Sequence, residues 1–211
     1  MARTAAFQAH TERYDQWFVR HDGAYLSELL AVRRLLPRHG LGIEIGVGTG
    51  RFAAALGIPL GVDPCISMLR KARGRHLLAV GGIAEALPFA DQAFDYGLVV
   101  TTVCFVDDAQ AMMHEARRVL KPSGKLVVGF IDRDSPLGQH YLARQPESVF
   151  YRDATFYSVA DVEVLLTDAG FRGLCWVQTL FKPTAQNAAI EETRAGHGAG
   201  SFVVVSAVRP S

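Results

Sequence analysis

The feature that most constrains this chain is a set of three alternating glycines between an apolar strand and a short helix. It reads Gly42-Ile43-Glu44-Ile45-Gly46-Val47-Gly48-Thr49-Gly50-Arg51-Phe52, and the helical run Phe52-Ala53-Ala54-Ala55-Leu56 follows at once. A strand that enters a tight glycine turn and leaves it as a helix brings bare backbone against whatever lies at the turn. One glycine can turn at positive φ, and another can omit the Cβ that would block a ligand. The dinucleotide fingerprint needs glycines at relative positions one, three and six. Here the sixth position is Arg51, and the third glycine comes one place early at Gly50. Alone, the loop leaves a nucleotide-like ligand and a plain turn equally open.

At 211 residues the chain is long enough for one domain with a sizeable core. Its net charge of +1 gives neither the basic footprint of a nucleic-acid binder nor a polybasic membrane patch. Cys65, Cys104 and Cys175 are odd in number and far apart, which argues against a disulfide framework and for a reducing compartment. Met1-Ala2-Arg3-Thr4 lacks the apolar core of a signal peptide, and the run from Leu98 to Val106 is half a membrane span. The expectation is a cytoplasmic protein with no membrane or nucleic-acid partner. The seven histidines show no ligand spacing with one another or with cysteine, so no metal site is expected.

Residues 7–21 read as a helix with Tyr14, Trp17 and Phe18 on one face. Tyr25, Leu29, Val32 and Leu36 form the stripe of a core-facing helix, ended by Pro37 and Gly40. Beyond the glycine loop, strands are expected at Leu60–Asp63, Leu77–Gly82, Phe94–Thr101 and Lys125–Ile131, with Lys121–Gly124 as a turn. Helices are expected from Ile66 to Arg73, from Asp107 or Asp108 to Leu120, and from Ser158 to Ala169 behind a capping box. Residues 132–157 read as irregular and are rich in aromatics. Five strands alternating with helices predict a parallel, doubly wound sheet with right-handed crossovers. Two closing strands, Leu174–Phe181 and Ser201–Val208, predict an antiparallel end and seven strands in all.

At these residues the chain resembles the class I S-adenosylmethionine-dependent methyltransferases. Ile43 to Gly50 is similar to their first motif, and Asp63 resembles the acid that ends their second strand. Ala84-Glu85-Ala86-Leu87-Pro88-Phe89 and Phe94-Asp95 resemble their adenine-edge loop and fourth strand. Glu115-Ala116-Arg117-Arg118-Val119-Leu120-Lys121-Pro122-Ser123-Gly124-Lys125 matches the stretch before strand five. The likeness is closest to the small-molecule branch that includes quinone-biosynthesis C-methyltransferases. It covers residues 25–131 well, the last two strands loosely, and residues 1–21 and 132–157 poorly. It implies a Rossmann-like fold with helices on both faces, S-adenosylmethionine as methyl donor and S-adenosylhomocysteine as product.

The resemblance also implies a set of cofactor contacts: Tyr14, Glu44, Gly46, Gly48, Gly50, Asp63, Pro64, Met68, Ala84, Glu85 and Thr101. Open parallel sheets bind ligands outside the carboxyl ends of their strands, and Glu44, Asp63, Glu85 and Thr101 are expected at or just past such ends. Asp63 is acceptor-only and suits ribose hydroxyls; its alternative is a cap on the next helix. Glu44 lies within a buried strand and needs a cation or backbone donors. The resemblance supplies the methionyl ammonium, and a pairing with Arg51 is the alternative. Ala84 and Glu85 mark the adenine edge or simply a turn.

Methyl transfer from a sulfonium asks mainly for alignment and desolvation, so a base is needed only for a protonated acceptor. Thr101-Thr102-Val103-Cys104 replaces the Asn/Asp-Pro-Pro motif of relatives that methylate DNA amines, and three scattered cysteines disfavour arsenic. A small-molecule acceptor remains, with His140, Tyr141, Tyr151 and Tyr157 as candidate contacts or bases. A nicotinamide oxidoreductase and a non-catalytic binder of the same ligand stay open. The expected organisation is one domain: an N-terminal lid helix (1–21), a cofactor-binding core (22–131), an acceptor-side lid (132–157), and a C-terminal helix with a strand pair (158–211). The lid's competitor is ordinary core packing by Tyr14, Trp17 and Phe18.

Overall fold

The computed structural model describes residues 4–182 and 189–211. Three helices come first: α1 (Ala5–Ala9), α2 (Thr11–Arg20) and α3 (Asp22–Leu35). The single N-terminal helix read from the sequence is therefore two, broken at His10, whose φ of −125° leaves the helical range. The core then alternates β1 (Gly42–Ile45), α4 (Arg51–Leu56), β2 (Leu60–Asp63), α5 (Ile66–Gly74), β3 (Leu78–Gly81), β4 (Phe94–Val100), α6 (Ala109–Val119) and β5 (Leu120–Ile131). After it come α7 (Pro136–Ala143), α8 (Val159–Asp168), β6 (Arg172–Thr179), β7 (Arg194–Ala195) and β8 (Phe202–Val208).

The sheet has eight strands in the order β3-β2-β1-β4-β5-β8-β6-β7. β1 to β5 pair in parallel, and β8 runs antiparallel to both β5 and β6. The eighth strand, two-residue β7 on the edge of β6, is the difference from the seven expected; too short to show an alternating pattern, it lies within the stretch read as connector. β5 also starts earlier than expected, because Leu120 pairs with Phe94 and the Lys121–Gly124 turn becomes an irregularity within the strand. Residues 132–157 are not wholly irregular: α7 forms there, with Ser135 capping Gly138 N–H at 3.1 Å and Pro136 at its start, where a missing N–H costs nothing.

Alternate residues of the strands feed two cores, one on each face. Leu126, Val128 and Phe130 of β5 meet Met112, Met113, Val162 and Leu166 of α6 and α8. Val127 faces the opposite way, into a core with Val32, Phe52, Leu69 and Phe202. The helix caps agree with the sequence: Asp108 accepts Ala111 N–H at 2.9 Å, and Ser158 with Asp161 closes a reciprocal box. Strand order reverses between β1 and β4, so their carboxyl ends open a crevice there.

Candidate functional site

Two cavities meet at that crevice. The first, about 720 Å³, is walled by Gly46, Gly48, Asp63, Pro64, Met68, Ala84, Glu85, Thr101 and Tyr14, together with Phe7, Thr102 and Phe105. Nine of the eleven expected contacts thus converge on one cleft. Glu44 and Gly50 are not in its wall.

The three glycines divide their work. A Cβ on Gly46 would lie 2.2 Å from Thr102 Oγ1, and one on Gly50 would lie 2.5 Å from Leu77 Cδ1. Those two are small because protein packs on them. A Cβ on Gly48 would meet nothing nearer than the Tyr14 hydroxyl at 3.6 Å, so this glycine is bare towards the cleft. Gly48 also holds φ +51°, which L side chains adopt at a cost.

Asp63 braces the same loop. Its Oδ2 accepts Gly48 N–H at 2.9 Å, and its Oδ1 accepts Cys65 N–H at 2.8 Å. Cys65, not Asp63, occupies the N-cap position of α5, and its side chain makes no capping hydrogen bond; at that helix start Asp63 reaches only the Cys65 N–H. Burial pushes its pKa up against those two donors, and each oxygen keeps acceptor capacity towards the cleft. Glu44 lies beneath the loop, 2 % exposed, and its Oε2 accepts Ala53 N–H at 2.8 Å. A backbone donor has answered the burial, and Arg51 pairs elsewhere. Glu85 Oε1 takes Asp107 N–H at 2.8 Å, which joins the turn after β3 to the segment after β4.

The second cavity, about 1030 Å³, is an aromatic chamber lined by Trp17, Phe18, Phe52, Tyr141, Phe150 and Tyr151, with Glu28 of α3 in the wall. It shares Phe7, Tyr14, Thr101 and Phe105 with the cleft. The rings interlock: Phe7 stacks on Phe150 at 5.3 Å and meets Phe105 edge-on at 4.9 Å, while Tyr141 stacks on Tyr151 at 4.9 Å. Thr101 sits where the cavities join, at φ +50°, an outlier for a β-branched residue. It also lines a third, smaller pocket with Tyr151 and Tyr157.

The candidate acceptor residues separate accordingly. Tyr141 and Tyr151 line the chamber, Tyr157 reaches only the small pocket, and His140 is exposed outside all three. Burial pushes the Tyr141 phenol up to about 12 and that of Tyr151 well above its ordinary range. Both stay protonated at neutral pH, which suits contacts rather than bases. Of the N-terminal aromatics, Phe18 is 7 % exposed and belongs to the core while its edge also lines the chamber; Tyr14 lines both cavities and Trp17 the chamber.

Helix α2 is pinned over the glycine loop by Asp15. Arg51 Nε donates to its Oδ1 at 2.9 Å, and Arg75 Nη2 donates to both oxygens at 2.9 Å. Burial would raise this carboxyl, but the guanidinium hydrogen bonds outweigh it and hold it well below the usual carboxylate range. Among the described residues, no group of three or more His, Cys, Asp or Glu could hold a metal ion, and no helix is long and apolar enough to cross a membrane.

Residues 43–128 match the family of methyltransferase domains. A crystal structure from Thermotoga maritima, described as an S-adenosylmethionine-dependent methyltransferase and possible histamine N-methyltransferase, is 46 % identical, covers 98 % of this chain and 99 % of its own, and superposes with a TM-score of 0.96. This chain belongs to the S-adenosylmethionine-dependent methyltransferases. An uncharacterised protein of Methanocaldococcus jannaschii is 41 % identical over 95 % of this methyltransferase and 97 % of itself. A demethylmenaquinone methyltransferase of Corynebacterium kroppenstedtii is 27 % identical over 68 % of this chain and 73 % of its own, in line with the quinone-branch likeness of the motifs.

Sequence reasoning passed over Phe7, Asp15, Glu28 and Phe105. Glu28 left a signal, since it falls on the apolar stripe of Tyr25, Leu29 and Val32 where a charge is out of place. Asp15 left none, because its partners lie 36 and 60 residues away.

Proposed function

We propose that S-adenosylmethionine occupies the glycine-loop cleft of this methyltransferase and that a small-molecule acceptor occupies the aromatic chamber. The observation that carries this reading is the junction at Thr101, Phe7, Tyr14 and Phe105, where two separate cavities share walls. Bound there, the donor supplies a methyl group on a positively charged sulfur. Gly48 would admit it by its missing Cβ, Asp63 would accept from the ribose hydroxyls, and Ala84 with Glu85 would flank the adenine. The rings of Tyr14, Phe7 and Phe105 exclude water and favour a sulfonium by cation–π attraction, worth about 0.5–2 kcal/mol. Holding donor and acceptor in line across that junction is what the fold contributes, and alignment can supply about 7–11 kcal/mol of the barrier.

Residues 1–21 and 132–157 then act as lids, the first over both cavities and the second over the acceptor side, around the 22–131 core and the 158–211 closing segment. A net charge of +1 supports a small-molecule acceptor over RNA or DNA. Three free cysteines support a cytoplasmic setting. Calorimetry with S-adenosylmethionine, S-adenosylhomocysteine and NAD tests the donor site. Micromolar binding of the first two, with S-adenosylhomocysteine released as product, is expected; preference for NAD would overturn the reading, and binding without turnover over a metabolite panel would favour a binder.

A further inference from the structure

The aromatic chamber contains one acidic group, Glu28, and the geometry around it is unusual. The side chain projects from the middle of α3 and is only 5 % exposed, yet it lines the chamber wall. Among the described residues it has no hydrogen bond and no ion pair. Every other buried carboxylate that shapes the site is satisfied: Asp15 by two arginines, Glu44 by Ala53 N–H, and Asp63 by Gly48 and Cys65. A buried carboxylate without a partner is costly, so such a group persists where something outside the fold meets it. The charged and titratable groups sharing the chamber are Arg13, Arg20, His21, Tyr14, Tyr141 and Tyr151, and none is hydrogen-bonded to Glu28. Arg13 and Arg20 are exposed at the surface. Around Glu28 the chamber presents ring faces and edges, the surroundings that attract a cation.

The geometry points to a protonated amine as the methyl acceptor, bound between the aromatic rings of the chamber and the carboxylate of Glu28, which takes its proton. This rests on the reading above that donor and acceptor occupy the two cavities. An ammonium has no lone pair and is repelled by a sulfonium, so both obstacles vanish when one proton moves to Glu28. The freed nitrogen lone pair then forms the N–C bond to the methyl as the C–S bond breaks. The products are a methylated ammonium and a neutral thioether, and the Glu28 proton leaves to water. Burial pushes the Glu28 carboxyl up to about 8. It is therefore ionised above that pH, where an alkylamine is still protonated, and its proton affinity lies nearer to an amine's than an ordinary glutamate's does.

The test compares benzylamine, 2-phenylethylamine and tryptamine, each with the alcohol of the same skeleton, by calorimetry at about pH 9, where Glu28 is ionised and the amines are still largely protonated, on protein saturated with S-adenosylhomocysteine. At least one amine should bind about 10–100-fold more tightly than its alcohol, the range of a charge-assisted hydrogen bond. Glu28→Gln should reduce that preference to under threefold while leaving S-adenosylhomocysteine affinity within twofold. With S-adenosylmethionine present, mass spectrometry should place the methyl on nitrogen, and Glu28→Gln should cut kcat/KM by about 10²–10⁴-fold. No preference for any amine in the wild-type protein would overturn the proposal, as would unchanged turnover in Glu28→Gln. If that variant does not fold, the wild-type amine and alcohol comparison decides alone. Failure of the wild-type protein to bind S-adenosylhomocysteine would instead sink the cleft assignment.

Discussion

The cleft we propose for the donor and the chamber we propose for the acceptor lie side by side yet are built on opposite principles. The cleft is made of backbone held by the sheet: Gly46 and Val47 N–H both bond to Val62 C=O, and Asp63 ties Gly48 to the start of α5. Its polar groups are fixed before any ligand arrives. The chamber is made mostly of side chains contributed by α1, α2, α3, α4, α7, the end of β5 and the segments after β4 and α7. Its walls hold together by ring contacts worth about 0.5–1.5 kcal/mol each, so they can be exchanged without disturbing the sheet. The same sheet can thus keep one glycine-loop cleft while the chamber beside it is re-lined.

The sharpest way to break that contrast is at Gly48. Gly48→Val places a branched side chain at φ +51° facing the cleft, where no protein atom stands within 3.5 Å of the new Cβ. S-adenosylmethionine affinity should fall more than about 100-fold, or about 3 kcal/mol, while the circular dichroism spectrum stays native. Unchanged calorimetric affinity in the folded variant would refute the cleft assignment.

Asp63→Ala comes next. Losing a charged acceptor worth about 1.5–3 kcal/mol should weaken the donor about 10–100-fold. A loss under twofold would leave Asp63 with the loop-bracing role alone.

Asp15 should affect both cavities together, because the helix it pins carries Tyr14, which lines both. Breaking a buried pair costs about 3–5 kcal/mol; Arg51 and Arg75, about one quarter exposed, reduce this for Asp15→Asn to about 1–3 kcal/mol. A melting temperature lower by about 2–4 °C per kcal/mol is expected, with parallel loss of donor and acceptor binding. The folded carboxyl sits below its unfolded value, so the stabilisation is full above about pH 4 and fades as pH falls further. The gap in melting temperature between wild type and Asp15→Asn should therefore narrow on acidification; a constant gap would refute the charge's role.

Phe150→Ala is the smallest test. Phe150 lines the chamber but not the cleft, and it stacks on Phe7. The acceptor KM should rise about 2–10-fold with donor affinity unchanged, as expected for one ring contact. Equal losses on both sides would show that the cavities are not separable.

The amino-acid sequence by itself determined the strands β1 to β5, the glycine turn and the helix caps, while nine groups of the cleft wall came from the family resemblance of its motifs. Those features depend on local order: alternation, glycine spacing and the residue that ends each strand are all read within a few positions. Even there the assigned roles needed the fold, since the sequence cannot tell that Gly46 and Gly50 are small for Thr102 and Leu77 while Gly48 is bare. The chamber was decided by tertiary structure alone. Phe7, Glu28, Phe105 and Phe150 are spread over more than 140 positions and acquire a common purpose only when the helices pack. The same holds for Asp15, which has no local reason to be buried and finds Arg51 and Arg75 only when α2 lies over the glycine loop. Backbone sites are written in short-range pattern, whereas side-chain cavities are sums of distant contacts.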